Sequence, residues 1–430
     1  MNDIISCSGP SSAFGRRSLI AGGLGAALSA AVPRWQLRAA EQAAAVGKND
    51  RGKSCILLWM NGGPSHIDTF DPKPGTKTGG EFKAIDTRIK GAQFSEHLPL
   101  IAEQADKLAV IRSMTSKEGN HDRAAYLMHT GYAPSTTLQH PSLGAWVSHE
   151  LGDDAAELPN FVSIRGASIG SGFLGVQHGP FSIQKPGEGV RNLPLAKDVD
   201  EARFSRRLKA LASLQDDFRA QTGRREIAAH DVVYQKAVRL MRSPLAKAFD
   251  IKDEPEEMQK KYGDSDFGRG CLMARRLIES GVKFIEVTLD GWDTHIDNFS
   301  GVRNLCRDLD PGMSALLADL AERKLLDDTL VIWMGEFGRT PAINSSQGRD
   351  HYPAAWSAVL TGGGSRSGIA HGTTDAEGAK VASEPVTVPD LFATIATLIG
   401  MDPTHEEMSP VGRPIAISDN GKAIRGLIAS

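Results

Sequence analysis

Six apolar residues in succession, Cys55-Ile56-Leu57-Leu58-Trp59-Met60, stop abruptly at Asn61-Gly62-Gly63. The same outline returns twice. Val282-Lys283-Phe284-Ile285-Glu286-Val287-Thr288-Leu289 stops at Asp290-Gly291, and Thr329-Leu330-Val331-Ile332-Trp333-Met334 stops at Gly335. Short, nearly continuous apolar runs closed by glycine predict strands buried on both faces; a half-exposed strand would alternate apolar and polar. Further strands are expected over Leu108–Met114, Phe161–Ile164 and Ala358–Leu360. Helical spacing places helices from near Asp122, over Asp266–Ser280, over about Val302–Lys324, and from Pro389 to Ile399 with Gly400 as the C-cap residue. Strand–helix alternation predicts an α/β fold with a doubly wound, mostly parallel sheet and helices on both faces. The charged stretch from about Lys197 to Asp250 carries Phe204, Leu208, Leu211 and Leu214 at helical spacing. It predicts helices packed on the outside of the sheet, as part of a helical insertion around 197–280. Gly362-Gly363-Gly364-Ser365 reads as a flexible loop, since no helix opening with Lys-Ser or Lys-Thr follows it.

The N-terminal residues carry a different pattern. Arg16-Arg17 precede an uncharged run, Ser18 to Val32, rich in Ala, Gly and Leu. A membrane span needs about 20 strongly apolar residues, and this run is shorter and weaker. Paired arginines before a moderate apolar run fit a twin-arginine (Tat) export signal, with cleavage expected within Ala39–Ala45. Residues 1–45 are therefore expected to be signal and linker, and 54–430 a single domain. The expected location is periplasmic or extracellular, reached through the Tat translocase, with no stable membrane span.

Loss of residues 1–45 would remove four arginines with Asp3 and Glu41, taking the formal net charge from −3 to −5. No basic stripe of the kind that tracks nucleic acid appears. Cys55 falls in a predicted strand and Cys306 in a predicted helix, and Cys271 is the third cysteine beyond the signal. Free buried thiols are expected rather than a disulfide framework.

The chemistry gathers at the strand ends. In open α/β sheets, ligands sit beyond the carboxyl ends of the strands. His66 and Asp68 follow the first strand, Asp293 and His295 follow the strand ending near Leu289, and Glu336 and Arg339 follow the strand at 329–334. Imidazole with carboxylate and no thiolate suits Zn²⁺, Mn²⁺ or a related divalent ion. Trp292 is placed to wall such a site, with Asp290 a competing carboxylate. His121, between a strand and a helix, and His351, in Gly348-Arg349-Asp350-His351, can join it. Arg339 offers a two-pronged donor for an anionic oxygen group. Plainer readings stand beside these: Asp293 as a helix cap, Arg339 and Glu336 as a structural ion pair, His66 as a hydrogen-bonded turn residue. His97, His129, His140 and His149 are assigned to structure or surface.

Gly62-Gly63-Pro64-Ser65-His66-Ile67-Asp68-Thr69-Phe70-Asp71-Pro72-Lys73, Gly291–His295, Gly335–Pro341, Gly348–His351 and Pro389–Thr394 together resemble an exported bacterial family known as "domain of unknown function 1501". That family is similar to the alkaline phosphatase and sulfatase superfamily, which implies a doubly wound α/β fold with one or two metal ions. The superfamily pattern is followed only in part. Arg123–Gly131 resembles the helix that follows the sulfatase nucleophile, but Asn120 and His121 occupy the nucleophile's neighbourhood and Ser116 lies several residues too early. Asn61 stands where the first-strand aspartate would be, and Glu336-Phe337-Gly338 replaces an Asp-His pair before glycine.

Two functions are consistent with these residues. The first is an exported metal-dependent hydrolase of sulfate or phosphate esters, with sulfated or phosphorylated glycans as candidate substrates and metal-activated water as nucleophile. Asp293, His295 and His351 would hold one divalent ion (Zn, Mn, Ca or Mg). His66, Asp68, His121 and Glu336 would hold a second or position water, with His121 and Arg339 in catalytic roles. The second is a non-catalytic exported binding or assembly protein that keeps the fold. Under either reading His66, His121, Asp293, His295, Glu336 and His351 are expected to share one centre.

Overall fold

The computed structural model describes residues 53–429 apart from 167 and 223–224. The twin-arginine segment and its cleavage stretch lie outside the described residues. Eight strands form the central sheet: β1 (Ser54–Asn61), β2 (Leu108–Met114), β3 (Phe161–Ile164), β4 (Phe181–Ile183), β5 (Phe284–Asp290), β6 (Thr329–Met334), β7 (Trp356–Thr361) and β8 (Ile369–His371). Their order across the sheet is β8-β2-β7-β6-β1-β5-β3-β4. Only β7 runs against the rest, pairing antiparallel with both β6 and β2. The remaining neighbours are parallel.

The continuous apolar runs have the expected cause: both faces are covered. Cys55, Leu57 and Trp59 point into one apolar layer with Phe161, Phe284, Leu330 and Ile332. Helices α1 (His121–Thr130), α2 (Leu143–Glu150) and α7 (Val388–Leu398) contribute Met128, Trp146, Leu391 and Ile395 to that layer. The alternate residues Ile56, Leu58 and Met60 are equally buried. On their side lie α5 (Asp266–Glu279) and α6 (Asn298–Glu322), and the backbone of Gly270 in α5 approaches Val287 and Ile164 so closely that a Cβ there would lie 2.8 Å from Val287. Burial of this kind contributes roughly 25 cal/mol for each Å² of apolar surface removed from water, the main contribution favouring the fold.

The stretch at 197–280 divides into parts with different fates. Helices α3 (Glu201–Thr222) and α4 (Arg225–Arg242) pair with each other. No described side chain of α3 is buried, and Leu214 and Phe218 stand in solvent. Those apolar positions at helical spacing therefore line the pairing with α4 and the surface rather than the sheet. Helix α5, in contrast, is core. Its Arg275 and Arg276 are fully buried and paired with Glu254, and Arg275 also with Asp319 of α6. An isolated buried guanidinium is costly, so these pairs fasten α5 and α6 to one another. The excursion from the sheet thus ends before α5. The Gly362–Ser365 run is a turn packed on β6 rather than a free loop, with Gly363 O accepting from Lys53 Nζ at 2.7 Å. Cys55, Cys271 and Cys306 are free and buried. Among the described residues no helix is long and apolar enough to cross a membrane.

Candidate metal centre

Strands β6, β1 and β5 are adjacent, so their carboxyl ends bring three loops together. Register aligns Asn61 with Asp290 across the β1–β5 pair, and their side chains are joined, Asn61 Nδ2 donating to Asp290 Oδ1 at 2.8 Å. The next two residues must pass beneath the Trp292–Asp293 backbone. Gly62 does so at φ +112°, where a Cβ would lie 2.4 Å from the Asp293 nitrogen, and at Gly63, φ +79°, a Cβ would lie 2.7 Å from the Phe337 carbonyl oxygen. Glycine is required at both by conformation and by contact.

Helix α1 supplies His121 from its first turn. Asn120 caps it by accepting from the Arg123 N–H at 3.2 Å, and Gly131 closes it in the left-handed region. His351 comes from a two-residue antiparallel ladder in which it pairs with Arg339.

The acceptors around these imidazoles fix their tautomers. His121 Nδ1 is 2.7 Å from Glu336 Oε1, His295 Nδ1 is 2.8 Å from Asp350 Oδ1, and His351 Nδ1 is 2.8 Å from the Gly119 carbonyl. Carboxylate and carbonyl oxygens can only accept, so in the neutral ring each Nδ1 carries the proton and each Nε2 presents a lone pair. All three lone pairs converge on one atom, Asp293 Oδ1, at 3.2 Å for His121, 3.1 Å for His295 and 3.3 Å for His351. The Nε2 atoms of His295 and His351 are only 2.9 Å apart. Four electron-rich atoms facing one another repel unless a cation or protons lie among them. Glu336 Oε2 and His121 Nε2 are, in addition, buried without a hydrogen-bond partner. One donor atom from each of His121, Asp293 and His351 lies within 4.8 Å of the others, with His295 Nε2 beside Asp293 and His351, and imidazoles held by carboxylate or carbonyl through the far nitrogen are the usual metal-ligand arrangement. The residues present fit a divalent ion.

Electrostatics sharpen this picture. Burial pushes the Asp293 carboxyl up, but the Arg339 hydrogen bond and charge, with His121 and His295, hold it down to about 2. The hydrogen bond from His121 to Glu336 raises the imidazole above its ordinary value against the opposing effect of burial. Burial lowers His351, with the charges of His121, Arg339 and His295 acting in the same direction. One ring thus favours a proton and its neighbour resists one.

Arg339 differs from the sequence expectation. Its guanidinium is fully buried and all three of its nitrogens are engaged, with Nε to Gly63 O at 3.0 Å, Nη1 to Arg349 O at 3.2 Å, and Nη2 to Asp293 Oδ1 at 2.6 Å and to Gly62 O. No free edge remains for a substrate anion, so Arg339 orients Asp293 and locks the Gly62-Gly63 turn. It is not paired with Glu336, which accepts instead from His121 and the Gly62 N–H.

His66 and Asp68 also depart from the expected shared centre. Asp68 is fully buried, accepting from Arg349 Nε at 2.7 Å, Arg349 Nη2 at 3.1 Å and Asn298 Nδ2 at 2.9 Å. Three donors leave it no role as an ion ligand. His66 is buried with Nε2 2.8 Å from the Gly378 carbonyl, and burial lowers its pKa. Among the described residues, neither makes a polar contact with Asp293, Glu336, His121, His295 or His351. Both serve the framework behind the centre, in which Thr294 donates to Asn298 and Asn298 to Asp68. Asp350 and the Gly119 carbonyl were not anticipated in the sequence. Asp350 was discoverable as the carboxylate beside His351.

The centre opens on a cleft of about 290 Å³ lined by Asn61, Gly62, His121, Asp122, Ala125, Gly291, Asp293 and Glu336. Among the described residues, no serine, threonine or cysteine lines it. Ser116 faces a different cavity, with Lys117, Leu127 and Pro389.

The chain belongs to the family described as "Protein of unknown function (DUF1501)", whose model matches residues 52–428. No curated protein matches it in sequence. Among solved structures it is distantly similar to Ps i-CgsB in complex with k-i-k-neocarrahexaose, at 12% identity over 82% of this chain and 72% of that one, with a TM-score of 0.40. It is similar to the PsFucS1 sulfatase from Pseudoalteromonas sp. at 13% identity over 86% and 72% of the two chains, TM-score 0.38. The alkaline phosphatase from the Antarctic bacterium TAB5 aligns at 14% identity over 73% and 92%, TM-score 0.32.

Proposed function

We propose that this protein is an exported, metal-dependent hydrolase of sulfate or phosphate esters. The observation that carries the reading is the convergence of three imidazole Nε2 lone pairs on Asp293 Oδ1 at the mouth of the cleft. His121, Asp293, His295 and His351 would hold a divalent ion, which when bound supplies Lewis acidity toward an ester oxygen and lowers the pKa of water. Glu336, buried and accepting the His121 proton, fixes that imidazole; its unpartnered Oε2 is a proton acceptor at the cleft wall. Asp350 and the Gly119 carbonyl orient His295 and His351, and Arg339 holds Asp293 ionised. The ester class follows from the superfamily resemblance of the sequence motifs, with glycan esters as the candidate substrates.

The cleft's lack of a hydroxyl or thiol favours water as nucleophile, and it equally favours a second reading, a binding or assembly protein that keeps the ion without turnover. One experiment separates them. The protein, loaded with zinc or manganese, is assayed on aryl sulfates, aryl phosphates and sulfated oligosaccharides beside Asp293→Asn. Hydrolysis abolished by Asp293→Asn supports the hydrolase. Metal binding without turnover on any of these esters supports the second reading. Export through the Tat translocase to the periplasm or beyond is part of the proposal and rests on Arg16-Arg17. Retention of an Arg16→Lys/Arg17→Lys variant in the cytoplasm supports it, and unchanged fractionation contradicts it.

A further inference from the structure

A second cluster of imidazole and carboxylate stands elsewhere in the fold. Helix α2 ends at His149-Glu150, and the small two-stranded sheet β9 (Glu406–Met408) and β10 (Pro414–Ala416) brings His405 and Glu407 against that end. His405 Nε2 lies 3.5 Å from both Glu150 Oε1 and Glu407 Oε1. His149 Nδ1 is 2.8 Å from Glu150 Oε1, and its Nε2 is 3.9 Å from Glu407 Oε1. One donor atom from each of His149, Glu150 and Glu407 falls within 4.8 Å of the others. We propose that His149, Glu150, His405 and Glu407 form a zinc-type site that clasps the β9–β10 hairpin to the C-terminus of α2.

Three arguments support this assignment. Two carboxylate oxygens face one imidazole nitrogen at 3.5 Å each, and either a proton on that ring or a bound cation balances their charge. Glu150 sits at the helix C-terminus, where the carbonyl ends of the backbone disfavour a negative side chain and favour a positive charge. The donor set then decides the type of cation. Two imidazoles with two carboxylates suit Zn²⁺, which they neutralise in charge, whereas Ca²⁺ and Mg²⁺ prefer oxygen throughout. The four side chains are only partly exposed, between 23% and 42%, so the ion would be half-sheltered and reachable from solvent. An ion there would add to the tie from Tyr132, whose hydroxyl donates to Ala416 O of the hairpin at 2.9 Å. The hairpin lies outside the central sheet, and Met408 and Val411 at its tip are exposed. The role is structural, and it does not depend on the chemistry proposed for the Asp293 centre.

The test titrates zinc alone into the full chain in a two-by-two design. A background of Asp293→Asn with His351→Ala disables the first centre. In that background one equivalent of zinc should still bind, and adding His405→Ala with Glu407→Gln should weaken it by about 100-fold or more, since loss of even an outer-sphere partner costs 10–100-fold. In the otherwise unaltered protein the His405→Ala/Glu407→Gln pair should lower bound zinc by one equivalent, whatever the first centre binds. Zinc should also slow amide hydrogen exchange across the hairpin, Glu406–Ala416, and that protection should vanish in the same variant. Zinc affinity, stoichiometry and protection unchanged by His405→Ala/Glu407→Gln would overturn the site. So would the absence of any zinc binding in the background protein.

Discussion

Asp68 and Asp293 each pair with a fully buried arginine, Arg349 and Arg339, yet the two pairs have opposite characters. At Asp68 both partners are sealed from solvent, and Asn298 completes the donors around the carboxylate. At Asp293 the arginine is sealed but the carboxylate is 47% exposed, and the Oδ1 atom that accepts from Arg339 also faces three imidazole nitrogens, which carry lone pairs in the neutral rings. A buried Asp–Arg pair is therefore no mark of a functional site. What separates framework from site is whether the remaining lone pairs are met by donors or by other lone pairs. The first arrangement is complete as it stands; the second calls for a cation.

The sealed pair should give the largest effect on stability. Asp68→Ala leaves the Arg349 guanidinium buried without its counter-charge and should destabilise the protein by about 3–5 kcal/mol, read from denaturant unfolding of metal-stripped protein. A loss below about 1 kcal/mol would mean that Asp68 is not the partner described.

His351→Ala inverts this profile. Its side chain is partly exposed and ties the ladder to Gly119 by one hydrogen bond, so metal-free stability should change by under about 1 kcal/mol. Metal affinity should fall by about 100-fold or more. If stability falls and affinity does not, the two regions have been assigned the wrong way round.

A smaller change is expected one layer out. Asp350→Asn keeps the shape beside His295 Nδ1 but removes the charge that fixes the tautomer, and should weaken metal binding by about 10–100-fold with the site intact.

The smallest effect is one of pH. His121 is raised above its ordinary value of 6.5 in the folded protein, first by its hydrogen bond to Glu336. The stability it contributes in metal-stripped protein is fully present below that ordinary value and is lost as pH rises through the higher folded-state value. Metal affinity should run the other way, rising over the same interval as Nε2 loses its competing proton. Parallel titrations of melting temperature and metal affinity check the opposed signs, and the stability contribution should shrink in Glu336→Gln, leaving what Asp293 supplies.

Much of this was legible in the sequence, for definite reasons. β1 and β6 are buried on both faces and closed by glycine, so their apolar runs are nearly unbroken and their ends sharp, and β2 and β3 keep short apolar runs interrupted only by Arg112-Ser113 and Ser163. The gathering of Asp293, His295 and Glu336 followed from the rule that parallel strands present their carboxyl ends together. β4 and β8 are three residues each, too short to carry a period. The position of α3 was misleading because a helix paired mainly with one other helix shows the same apolar spacing as one lying on a sheet. The roles of Asp68 and Arg339 were not legible at all. Which donors reach a carboxylate is decided by Arg349 and Asn298, far along the chain, and whether a guanidinium is free depends on carbonyls such as Gly62 and Gly63 that every residue possesses.

The most direct measurement is the anomalous difference density, at the zinc absorption edge, of crystals of the full chain grown with zinc. The account predicts a peak among His121 Nε2, His295 Nε2, His351 Nε2 and Asp293 Oδ1, lost in His351→Ala, with Asp68 still closed by Arg349. Saturating zinc that leaves no peak there, with the three imidazoles still facing Asp293, would contradict it.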